Sequence, residues 1–197
     1  MMIQTDRYRR RYTAGEMYRI LLAVIPSIGI LKRNREDAAV GEQFIERLML
    51  TVTEVNGCAL CSYAHAKMAL ESGFGEEEVE SFLSGSDAFV KSEEATAILF
   101  AQSYADSGGV LDERHYARVV AEYGKKKSEV ILAAIRVMMG GNVIGLPYSA
   151  LLSRIKRGVR YTNSSLLYEI AMILAPLVLV PLALLHHLGR RIGVLPR

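Results

Sequence analysis

Cysteine and histidine are scarce in this chain: two and four among 197 residues. Without a third cysteine, a closed zinc site of about four ligands has to be assembled from Cys58, Cys61, His65 and the remote His115. Basic charge is also thin. A net charge of +3, with no basic face or stripe, excludes nucleic acid as the expected partner. The one cluster, "DRYRRRY" near the start, reads as a solvated arm, with contact to anionic lipid or another acidic surface as the alternative. No nucleotide-binding fingerprint is present, so any redox electrons must come from a partner. Alternating strand patterns and fixed-period repeats are missing too, which removes sheets and solenoids. Finally, "ILLAVIPSIGIL" follows acidic Asp6 and Glu16, contains Pro26 and runs into "KRNRED" with no small-residue cleavage site. That is not a secretory signal, and the expected compartment is the cytoplasm. In a reducing compartment two close cysteines point to redox chemistry or metal before a structural staple.

Helical periodicity is what the chain does have. Phe44, Ile45, Leu48, Met49, Val52 and Val55 fall at helical spacing, and Asn56-Gly57 then tolerates a left-handed helix end. A second helix is predicted from near Cys58 to Gly73, with further helices over "EEEVESFLSG", "SEEATAILFAQSYADSGG", "DERHYARVVAEYG" and "KKSEVILAAIRVMMGGNVIG". Gly140, Gly141 and Gly145 permit close packing or a break. The expected fold is an all-α bundle of short amphipathic helices, with a positive mean hydropathy leaning toward an oligomer or a membrane contact.

Three regions follow: a basic arm and helix over 1–34, a helical domain with the cysteine motif over 35–160, and an apolar tail over 161–197. The tail's run from Ile170 to Leu185 is sixteen residues without a charge, just short of a transmembrane helix. Pro176 and Pro181 favour a kinked helix or a shallow hairpin. Basic residues on both sides give no orientation by the positive-inside rule. Three placements stay open for it: an oligomer interface, a membrane anchor through about residues 166–188, or an intramolecular core helix.

The chemistry concentrates in "NGCALCSYAH". On a helix starting at Cys58, residues 58, 61 and 65 fall within an arc of about 60°. His65 leans back toward Cys61, because helical side chains tilt toward the N-terminus. A free thiol ionises near pH ~8.5, and only the thiolate attacks. The N–H groups of the first helical turn and the His65 imidazole are two devices that lower that value. If the preceding helix packs antiparallel around Gly57, Glu46 lies within roughly 5 Å of His65 along the axis. It would orient the imidazole directly or through one water. Glu54 is the rival carboxylate, expected to face solvent near the helix end. His115 is expected on a surface helix, and His186 and His187 at the polar boundary of the tail.

The stretch "ERLMLTVTEVNGCALCSYAH" resembles the Glu-x11-Cys-x-x-Cys-x3-His signature of the AhpD-like alkylhydroperoxidase branch of the carboxymuconolactone decarboxylase family. Beyond the motif the likeness is a loose one of helical pattern, from about Arg35 to Arg157. The resemblance implies an all-α, AhpD-like bundle that is an obligate oligomer, often a trimer or hexamer. It also implies peroxidase activity with Cys61 as peroxidatic thiolate, Cys58 as resolving thiol, and Glu46 with His65 as proton relay. No cofactor is implied. Peroxidase members carry a histidine just before the second cysteine, where this chain has Leu60; a shorter relay means weaker peroxidase activity or a different oxidised substrate. Members that decarboxylate a lactone lack the cysteine pair, which argues against that activity.

The expected function is therefore a thiol-dependent peroxidase, an antioxidant enzyme that reduces a hydroperoxide through a dithiol/disulfide cycle. Its electrons would come from a thioredoxin-like or lipoyl-bearing dithiol. Two alternatives remain: a thiol–disulfide oxidoreductase acting on a partner protein, and a membrane-attached redox-sensing module.

Overall fold

The computed structural model describes residues 8–193, and among them every regular element is helical. In chain order these are α1 (Ala14–Asp37), α2 (Glu42–Asn56), α3 (Ala59–Glu71), α4 (Glu76–Ser84), a 3-10 turn (Ser92–Glu94), α5 (Ala95–Asp106), α6 (Glu113–Arg157) and α7 (Leu166–Arg191). Local chemistry sets the boundaries. Thr13 and Glu16 form a reciprocal capping box at the start of α1. Asn34 bridges both backbone groups of Val40 at 2.8 and 3.0 Å, fixing the corner into α2. Three glutamates open α4 where the helix dipole favours them. Gly57 ends α2 with φ of 67°, a conformation that disfavours any residue with a Cβ.

The long C-terminal part of α6 is the axis of the bundle. Its residues Ile131, Ile135, Met139 and Val143 are fully buried, covered by α1, α2, α3, α5 and α7. The expected division between "DERHYARVVAEYG" and "KKSEV" is real: Gly124 breaks the helical backbone there, with φ 73° and ψ 162°. Beyond it the helix is not short. It runs past Gly145 and through Pro147 to Arg157. Gly140 and Gly145 serve close approach rather than a break; a Cβ at Gly140 would lie 2.7 Å from a Val24 methyl of α1.

The basic cluster is not a solvated arm from Tyr8 onward; its first two residues, Asp6 and Arg7, lie outside the described residues. Tyr8 and Tyr12 are 3% exposed. The Tyr8 backbone N–H donates to the Asn163 side-chain oxygen at 2.8 Å and its carbonyl accepts from the Asn163 side-chain nitrogen at 2.9 Å, while Tyr12 donates its hydroxyl to Asn56. Arg9 pairs with Glu54 and Arg11 lies over the Tyr168 ring. Two tyrosines four residues apart give this segment an inward face that its charge conceals. Burial raises the Tyr8 and Tyr12 phenols well above their ordinary range. In the unfolded chain they ionise near pH ~10, so above that value ionisation favours the unfolded state. Their contribution is complete below pH ~10 and is lost as pH rises toward the folded values. Urea midpoints recorded on either side of pH ~10 are expected to fall on the alkaline side, and less steeply in the Tyr8→Phe, Tyr12→Phe protein.

On α2, the side chain of Arg47 forms a buried junction. Its Nε and Nη2 donate to Glu94 at 2.6 and 2.7 Å, and Nη1 donates to Glu78 at 3.1 Å. The guanidinium also lies over the Phe74 ring. One residue thus ties α2 to α4 and to the 3-10 turn.

The tail is one helix through Pro176 and Pro181, not a hairpin. By length and composition α1, α6 and α7 are each sufficient to cross a membrane. They differ in cover: the apolar window of α6 is 78% buried, that of α7 only 17%.

Candidate active site

Cys58 is the N-cap of α3, and its sulfur accepts the Cys61 backbone N–H at 3.3 Å. The short reach from the Gly57 turn into a helix puts the two sulfurs within bonding distance, and they are joined as a disulfide. Cys58 is 0% exposed and Cys61 8%, so reagents meet Cys61 first. The first turn is pinned from outside. Leu60 N–H donates to Ser149 Oγ of α6 at 3.1 Å, and Ser62 Oγ donates to the Cys58 carbonyl at 3.1 Å.

Glu46 of α2 and His65 of α3 meet directly. Glu46 Oε2 lies 3.0 Å from His65 Nδ1, with side chains 7% and 15% exposed. The gap expected along the axis is closed by the side chains themselves, with no bridging water needed. A carboxylate only accepts, so Nδ1 carries the hydrogen of this bond and Nε2 is the nitrogen left for other work. Glu54, expected to face solvent, instead has a side chain only 16% exposed and paired with Arg9. Its separation from the site comes from that partner rather than from hydration.

The structure therefore joins Cys58 to Cys61 and Glu46 to His65, with the two pairs one turn apart on α3. Among the described residues, no hydrogen bond connects one pair to the other in the disulfide form. His115 is exposed and shares a hydrogen bond with Ser103 at 3.1 Å, and His186 bonds the Tyr18 hydroxyl at 2.7 Å. A cleft of about 590 Å³ lined by Thr51, Phe82, Leu99 and Gln102 contains none of the four candidate residues.

The wall over the sulfurs comes from α6. A Cβ on Gly145 would stand 2.7 Å from Cys61 Sγ and 2.9 Å from Cys58 Sγ. Cys61 Sγ also lies 3.8 Å from the Gly141 carbonyl oxygen, an acceptor for the thiol once the pair is reduced. Small residues in "GGNVIG" signalled a close approach, but the sequence did not say against what; nor did it single out Ser149. Gly145→Ala is expected to destabilise the oxidised protein by ~1–3 kcal/mol, the usual cost of overpacking. The reduced protein, whose Cys61 side chain is free to turn, should lose less. Urea denaturation of both redox forms measures the difference.

No family model, curated protein or solved structure matches this chain. The likeness to the AhpD-like family rests on the motif alone.

Proposed function

We propose that this chain is a cytoplasmic, homo-oligomeric thiol-dependent peroxidase of AhpD-like type. The observation behind this reading is the pairing of a vicinal disulfide-forming dithiol at a helix start with a carboxylate-oriented imidazole one turn further on. Cys61 is the attacking sulfur, since Cys58 is fully covered. His65 takes the proton of the Cys61 thiol, the thiolate attacks the distal oxygen of a hydroperoxide, the O–O bond breaks with alkoxide leaving, and Cys61 becomes a sulfenic acid. His65 delivers a proton to the departing alkoxide, which leaves as alcohol, and Glu46 stabilises the imidazole through Nδ1. The Cys58 thiol then condenses with the sulfenic acid, forming the disulfide and releasing water.

An external dithiol, thioredoxin-like or lipoyl-bearing, restores the pair. Its thiolate attacks Cys61 Sγ, and Cys58 leaves as a thiolate that the Cys61 N–H is placed to receive. The second donor thiol closes the donor's own disulfide and returns both cysteines to the reduced state.

Cys61, 8% exposed, gives a small oxidant the easier approach, while a protein disulfide, like a protein dithiol, has to open the site before it reaches the sulfur. Stopped-flow oxidation of the reduced protein by cumene hydroperoxide and by an oxidised partner protein separates the two. The peroxidase reading expects the hydroperoxide to react faster by orders of magnitude. A faster protein disulfide would make the chain a thiol–disulfide oxidoreductase instead.

A further inference from the structure

The two sides of α7 differ in kind. Its inward side is dressed with polar contacts: Glu169, its only carboxylate, is 0% exposed and held by Arg154 at 2.7 and 2.9 Å and by Ser164 at 2.9 Å. Tyr168 donates to the Tyr12 carbonyl and His186 meets Tyr18. On the outward side every exposed residue from Leu166 to Leu188 is Leu, Ile, Val, Ala or Pro. Leu167, Leu177, Val178 and Leu185 are 61–79% exposed. Monomeric soluble proteins rarely leave so long an apolar strip uncovered.

Three occupants can cover such a face, and the observations separate them. A second copy of the chain, even in an apolar obligate interface, would set the cations at the two ends of this strip against cations of its partner's α7, since the face offers no exposed carboxylate or other polar group to meet them. A bilayer demands that emptiness of polar groups. Crossing the bilayer is a different matter. From Leu167 to Leu188 the helix is about 32 Å long, enough to span, yet its inner side is packed on α1 and α6. The helices beyond them expose Lys67, Glu71, Glu76 and Glu77. An upright α7 would drag those charges into hydrocarbon. Its flanks agree with a flat placement. Exposed Lys156 and Arg160 precede α7 and exposed Arg191 ends it, so both ends present cations, as a helix lying along one headgroup layer requires.

We propose that α7 is an in-plane, monotopic membrane-binding helix whose outward aliphatic face enters the acyl region of one anionic leaflet, with the basic residues at its two ends on the headgroups. The proposal stands apart from the peroxidase chemistry and survives the failure of that reading.

The chain has no tryptophan, so a single Trp introduced at an exposed position reports its own depth. Leu167→Trp, Leu177→Trp and Leu188→Trp are to be prepared in the full-length protein. Each is mixed with vesicles of phosphatidylcholine and phosphatidylglycerol bearing brominated chains at graded depths. The expected result is flotation with the vesicles and equal, shallow quenching at all three positions. Replacing Lys156, Arg160 and Arg191 together by glutamine should weaken partitioning at least about tenfold while leaving far-ultraviolet circular dichroism unchanged. Deep quenching at 177 with shallow quenching at 167 and 188 would mean a spanning helix and overturn the proposal. So would absence from the floated fraction, whether the protein is a monomer or a discrete oligomer that Leu177→Glu dissociates.

Discussion

The Cys61→Ser protein is expected to reduce no hydroperoxide above the uncatalysed background, in single or multiple turnover. The loss should be complete because serine cannot supply the sulfur that accepts oxygen, and Cys58 is fully covered behind Gly145. Cys58→Ser should behave differently. Cys61 remains the more accessible sulfur and reacts once, but the sulfenic acid then has no resolving thiol and turnover stops at one equivalent or less. Consumption of cumene hydroperoxide with a dithiol donor distinguishes the two. Mass spectrometry adds the chemical signature: one added oxygen, trapped on Cys61 in the Cys58→Ser protein. Full turnover in Cys61→Ser would remove the assignment of roles.

The largest expected loss of stability lies outside the cysteine motif. Arg47→Met leaves Glu94, 6% exposed, without its cation, and frees Glu78 as well. Breaking a buried pair from one side costs about 3–5 kcal/mol, since an uncompensated charge remains in a poorly solvated place. Glu94 then has to protonate or drag the 3-10 turn outward. Chemical denaturation should show the full loss at neutral pH. A double Arg47→Met, Glu94→Leu protein should recover much of it, because replacing both partners removes the orphan charge. Equal stability of wild type and Arg47→Met would contradict a stabilising Arg47–Glu94 junction. Glu46 precedes Arg47 on the same helix, so the junction also steadies the frame on which the His65 partner stands.

The all-α class, the turn at Asn56-Gly57, the helix opening at Cys58 and the Glu46–His65 meeting were legible from residue spacing. Each depends on local rules: a left-handed glycine and a fixed rise per residue. What stayed illegible depends on partners distant in sequence. The tyrosines inside "DRYRRRY" looked like part of a charged arm because the groups that receive them, Asn56, Asn163 and Tyr168, lie 44 or more residues away. Glu54 read as solvated for the same reason, since its cation is Arg9. Gly145 announced a close approach, but only the crossing of α3 and α6 shows that two sulfurs fill it. Prolines at 176 and 181 left a kinked helix and a hairpin open, and the tail is one helix packed against α1 and α6.

The central claim is that an imidazole oriented by Glu46 activates the sulfur one turn before it. Alkylation of the fully reduced protein, followed as rate against pH in the wild type and in His65→Ala, tests this most directly. A reactive thiolate is expected in the wild type with a midpoint below the ~8.5 of a free thiol, moving upward in His65→Ala. Superimposable curves centred near the free-thiol value in both proteins would contradict it.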